Sequence, residues 1–236
     1  MGSAQVALCN DMMKILFYSF LVLVATSPLS YVVMAGSSAP EQSTDGLELV
    51  EKTLHGQFYL NTRADWSRFT GVQLEKATVE FRKHWARDQK YRNGNRPTEE
   101  NKGRIQSDLS ELLDEVFRQE LSKNNGFLMS DVSGENVMRI TPRITNLNIY
   151  APDRMRDHIG SSFADSKGSM TLELEIYDSV SGTPLARMTD NREDPQKGYM
   201  EWTTSGTNRR AARFMFIRWA NKLNDVLMGA GIPLRD

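Results

Sequence analysis

The sequence predicts an α+β domain: an antiparallel or mixed sheet of about five strands, with two helices packed on one face, behind an N-terminal signal segment. Three observations lead there. Residues 168–193 alternate apolar and polar side chains, turn at a glycine, and alternate again. Two long stretches, beginning near Thr98 and near Asn208, repeat apolar residues at three-and-four spacing. The order of these signals is strand, helix, several strands, helix, with no internal repeat, which suits helices laid on one side of an antiparallel sheet.

Taken in chain order, the first feature is an apolar run. Within residues 13–35 Lys14 is the only charge, and residues 15–25 follow it as a hydrophobic core. This is the n-region and h-region pattern of a secretory signal, with Pro28 breaking the run and Val33 and Ala35 at the positions a signal peptidase prefers before Gly36. The alternative is an uncleaved inner-membrane anchor, since residues 15–35 are long enough to span a bilayer. The residues before Met13 read as an extension from an upstream start. Cys9 is the only cysteine and precedes the run, so it cannot serve as a lipoprotein anchor, and cleavage leaves no thiol for a disulfide or a metal. The resulting expectation is a periplasmic or secreted protein of 201 residues, enough for one domain.

Residues 36–60 are polar and are expected to form a flexible mature N-terminus, with a single domain over residues 61–232. Val72, Leu74, Val79 and Phe81 alternate with polar residues and predict a strand with a slip near Lys76. After a charged loop, Thr98 caps a helix whose first turn holds Glu99 and Glu100, favourable at the positive end of the helix dipole. Its buried stripe is Ile105, Leu109, Leu112, Leu113, Val116, Phe117 and Leu121, and Gly126 is expected to take the left-handed cap.

A short strand at residues 127–131 and a longer one at 137–150 follow, with Pro142 pointing to an edge or a bulge. Residues 151–168 form a polar loop. Met170, Leu172, Leu174 and Ile176 then face a core, while Thr171, Glu173, Glu175 and Tyr177 face water. Gly182 serves the turn, residues 185–190 return, and a charged loop leads to the last helix. That helix buries Ala212, Met215, Phe216, Trp219, Leu223, Val226 and Leu227, and Gly229 or Gly231 ends it.

The function classes narrow by composition and motif. A net charge of −1 and a pI near 6.3 give no global field for nucleic acid. His55, His84 and His158 lack metal-ligand spacing, and no phosphate loop, dinucleotide fingerprint or nucleophile elbow occurs, so no cofactor or metal is expected. Asp153, Asp157 and His158 share one loop and are weak catalytic candidates, for a cell-envelope hydrolase; solvated loop residues explain the same grouping. Arg209, Arg210, Arg213 and Arg218 gather near the start of the last helix, a candidate docking patch for an anionic surface, against the plainer reading of a solvated helix face. Trp66, Phe69, Trp85, Tyr91 and Trp202 could line a groove, but packing at the core edge accounts for them as well. Met170 and Met215 lie on core stripes and read as packing.

The segments DWSRFTGVQLEKATVEFRKHW, TPRITNLNIYAPD, GSMTLELEIYDSVSGTPLAR and FIRWANKLNDVL together resemble the bacterial domain-of-unknown-function family 3313, over residues 55–228. That resemblance implies an envelope protein of the lipoprotein kind. It implies no activity and no site residues, and this chain departs from many relatives in having Ala35-Gly36 where a lipobox cysteine would stand. Together these readings favour a non-enzymatic envelope binding or structural module that docks an unknown envelope partner, through the sheet edge or the 151–168 loop. Membrane contact would come through the signal segment or the arginine cluster. Mass spectrometry of protein from the native periplasm is expected to find Gly36 as the first residue; an intact 15–35 segment in the membrane fraction establishes the anchor instead.

Overall fold

A computed structural model describes residues 45–93, 96–124, 126–149, 168–193 and 205–232. The chain runs β1 (Glu48–Lys52), β2 (Gly56–Leu60), a 3-10 turn (Trp66–Arg68), β3 (Gly71–Leu74), β4 (Thr78–Phe81), α1 (Trp85–Asn93), α2 (Glu99–Leu121), β5 (Leu128–Met129), β6 (Val137–Asn148), β7 (Ser169–Asp178), β8 (Pro184–Glu193) and α3 (Ser205–Gly229). The strands form one mixed sheet in the order β1-β2-β8-β7-β6-β3-β5, with β4 also on β6. The class agrees with the sequence, but there are eight strands rather than five and three α-helices rather than two among the described residues.

The extra strands have identifiable sources. β1 and β2 form a hairpin inside the stretch expected to be loose, because Phe58 and Leu60 pair with Met188 and Ala186 and bury themselves on the core side. The slip near Lys76 is wide enough to split one expected strand into β3 and β4. Both run parallel to β6: Val72 pairs with Met138 and Leu74 with Ile140, then Thr78 with Arg143 and Val79 with Ile144.

This split also places Pro142. β6 is an interior strand, with β7 on its other side, so the expected edge position is not what forms. Glu75 donates its N–H to the Ile140 carbonyl at 2.9 Å, and strand pairing resumes only at Thr78 and Arg143. Pro142 lies opposite the interruption, so its missing N–H leaves no ladder bond unmade. The bulge in β6 lies further on, between Thr145 and Asn148, where Asn146 takes a φ of 52°.

Alternation makes the sheet two-faced. Met138, Ile140, Ile144, Leu172, Leu174, Ile176 and Met188 are buried on one face with Val72, Val79 and Phe58. α2 and α3 cover it. Thr98 caps α2 as expected, its hydroxyl accepting from Asn101 N–H, and the predicted stripe from Leu109 to Leu121 is buried. The helix end differs: Asn124, not Gly126, takes the left-handed conformation, with φ 53°. Gly126 is needed for space, since a Cβ there would lie 2.2 Å from the Leu121 carbonyl oxygen. α3 buries Ala212, Met215, Phe216, Trp219, Leu223 and Leu227, the stripe read from its spacing, with Val226 partly buried.

Two local features hold the hairpins. Gly56 pairs with Asp190, and a Cβ on it would sit 2.2 Å from the Thr189 carbonyl oxygen and 2.8 Å from Asp190 Cα. Asp178 closes the β7–β8 turn: its Oδ1 accepts from Val180 and Ser181 N–H at 2.9 and 3.0 Å, and its Oδ2 from Arg68. Burial pushes this carboxyl up, but the two backbone donors and the Arg68 guanidinium outweigh it and hold the pKa below the ordinary value.

Gly56→Ala is expected to lower unfolding stability by about 1–3 kcal/mol, because backbone rather than a side-chain tip must move; urea unfolding measures it. A carboxyl with a depressed folded pKa contributes stability that is complete above its unfolded value of about 3.9 and is lost as pH falls through the folded value. Asp178→Asn should therefore cost about 1–3 kcal/mol at pH 7 and reduce the loss of stability on acidification, as read by urea titrations at neutral and acid pH.

Candidate functional site

The outward face of β2, β8, β7 and β6 presents Gln57, Tyr59, Arg187, Thr189, Glu173, Glu175, Tyr177, Arg139, Thr141 and Arg143 on successive strands, by the same alternation that buries their neighbours. These side chains are tied together. Thr141 Oγ1 donates to Glu75 at 2.8 Å, Thr145 Oγ1 to Glu173 at 3.0 Å, and the Tyr177 hydroxyl to Glu175 at 2.8 Å. Arg143 bonds Glu80 at 2.6 Å, linking β6 to β4. Arg187 bonds Asp45 and lies 3.8 Å from Glu175. The Arg139 guanidinium sits 5.3 Å from the centre of the Tyr177 ring and 3.7 Å from Glu75.

Charges of both signs are thus held at set positions across four strands. Burial first, and then the hydrogen bond to Glu175, push the Tyr177 phenol up, so it stays a neutral donor at physiological pH. An array of this kind recognises by charge pattern: it pairs with a surface whose charges match and repels one whose charges do not.

The sequence-derived candidates fall elsewhere. Asp153, Asp157, His158 and Trp202 lie outside the described residues. The arginine cluster is on α3, where it borders a groove with α2 lined by Glu115, Arg209, Arg210 and Arg213. Glu115 accepts from both terminal nitrogens of Arg213 at 2.9 and 2.7 Å, and Arg209 lies 3.8 Å away. Arg218 stands 5.8 Å from the ring of half-exposed Phe214. The cluster is therefore partly neutralised by a carboxylate from the neighbouring helix. Of the aromatic set, Trp66, Phe69 and Trp85 are buried, and Tyr91 is 81% exposed.

The core also contains a carboxylate, at the last residue of the expected return strand. Asp190, on β8, faces inward and is only 4% exposed; the Trp219 indole donates to its Oδ2 at 3.1 Å and Arg192 Nε at 2.9 Å. Its Oδ1 is buried with no hydrogen-bond partner among the described residues. The polar alternation of residues 187–192 carried a signal for this, since Asp190 is in phase with Ala186 and Met188 on the core face.

The solved structures to which the chain is similar are distant in sequence. PelC from Paraburkholderia phytofirmans, solved as a dodecamer, is 11% identical, covering 72% of this chain and 97% of its own, with a TM-score of 0.35. Protein XCC0632 from Xanthomonas campestris is 9% identical over 70% of this chain and 89% of its own, with a TM-score of 0.39. The hypothetical protein CT253 from Chlamydia trachomatis is 10% identical over 67% and 96%, with a TM-score of 0.33. No curated protein matches the chain in sequence. A family model does match, over residues 42–223, and by that match the chain belongs to the family described as protein of unknown function, DUF3313.

Proposed function

We propose that this protein is a non-enzymatic module of the bacterial envelope that holds a protein partner against the polar face of its sheet. The observation that supports this reading is the bonded and ion-paired array that runs from Glu75 and Arg139 through Tyr177 and Glu175 to Arg187 and Asp45, with the Arg143–Glu80 pair beside it. Side chains already held in place lose little freedom when a partner arrives, so their contacts count more fully towards affinity. β6, β7 and β8, of ten to twelve residues, with the five-residue β2 beside them, make a face on the order of 500 Å², roughly two thirds of one side of a standard protein interface.

The β1 edge of the sheet, an alternative docking route, is less suited. β1 carries Glu48, Glu51 and Lys52, has an irregular register between Leu49 and Glu51, and is tied to α3 through Lys222 and Glu51. Charges and a bulge are the devices that keep edge strands from pairing with another chain.

Arg143→Glu with Arg187→Glu reverses two charges on the face without touching the core. Cross-linking in the native envelope, followed by mass spectrometry, is expected to join a stoichiometric partner to β6–β8 in the wild type and to lose it in the double variant. A partner retained by a folded double variant, or turnover of an envelope substrate by the purified protein, overturns the reading.

A further inference from the structure

We propose that α1 and the turn leading into it form a docking surface for an anionic lipid bilayer, separate from the sheet face. Between residues 82 and 96 the sequence places six Lys or Arg residues against a single acid, Asp88, in a chain whose net charge is −1. The local field is therefore strongly positive where the whole molecule is neutral. Asp88 is engaged by Arg82 at 2.8 Å and lies 3.6 Å from Arg87. Lys83 and Lys90 are exposed and have no ion-pair partner among the described residues, and Arg87 is 59% exposed at its side chain.

The helix is anchored by its opposite side. Trp85 and Gln89, one turn apart, are buried and both donate to the Ile149 carbonyl, at 2.8 and 3.0 Å. Trp85 also stacks on Phe81 with ring centres 4.1 Å apart. With those two residues facing inward, Arg87, Lys90 and Tyr91 fall together on the outward side. Such a helix cannot turn its basic face inward without unstacking Trp85.

Tyr91 selects the kind of polyanion. At 81% exposure it projects beyond the surface rather than lining a groove, which suits a flat, deformable target better than a sugar chain held in a cleft. A tyrosine between lysines and arginines has the composition of a headgroup contact: the ring enters the interfacial zone while the cations remain at phosphate level.

Full-length protein is sedimented with vesicles of phosphatidylcholine alone and of phosphatidylcholine mixed with phosphatidylglycerol. The apolar run contributes equally to both, so the readout is the excess on anionic vesicles. That excess is expected to weaken with added salt and to fall by about tenfold or more in Lys83→Glu/Arg87→Glu/Lys90→Glu. Lys83→Gln/Lys90→Gln, which only removes charge, should lose several-fold and decides the matter if the reversal variant fails to fold. An unchanged excess in a folded variant overturns the proposal. So does an excess lost instead in Arg209→Glu/Arg210→Glu, or binding to single-stranded DNA with none to anionic vesicles.

Discussion

The architecture depends on how the two sides of β6 are satisfied. On one side β7 pairs with it almost end to end; on the other, β3 and β4 share it, with residues 75–77 between the two strands opposite Pro142. Because Ala77 leaves the ladder, its carbonyl becomes available to α2, and Ser110 Oγ donates to it at 2.8 Å; Gln106 donates to the carbonyl of Val79, in the adjoining β4, at 2.6 Å. A proline that would cost an interior strand one hydrogen bond is thereby placed where the sheet has already turned to the helix.

From that junction the two covers of the core follow. α2 is held to Ala77 and β4 by polar bonds and packs its apolar stripe into the core, and α3 lies beside it. Trp219 reaches down from α3 to Asp190, so the second helix is also tied to the sheet by a hydrogen bond to a buried charge. Such a contact limits how the helix can slide, because moving it would take the indole donor from Asp190 Oδ2 and leave the buried indole N–H unpaired. At the other end β4 runs into Phe81 and Trp85, which fix the start of α1.

The same alternation that builds the core also builds the surface. Most apolar residues of β6 to β8 that point inward have a polar neighbour pointing out, and many of those neighbours meet across strands as opposite charges and donor–acceptor pairs. The basic surface on α1 arises differently. It depends on one buried face, Trp85 and Gln89, which forces the remaining positions outward. The sheet face and the α1 surface therefore rest on independent features of the fold.

The sequence by itself determined the elements whose signal is local. The two-faced strands at 137–148 and 169–193 are written in alternation, the helices in three-and-four spacing, and the start of α2 in Thr98 with Glu99 and Glu100. Tertiary structure alone decided what those elements meet. Parallel pairing of β3 and β4 with β6 joins residues more than sixty positions apart, and no local pattern encodes such a register. The β1–β2 hairpin is too short to announce itself and forms because β8 offers it an edge. The arginines of α3 read as one cationic cluster until Glu115, on another helix, engages two of them. The cations around α1 read as a charged loop until Trp85 and Gln89 are seen to be buried. Charge is legible in a chain one residue at a time; its pairing and its exposure belong to the fold, because both depend on which distant segments come to lie beside it.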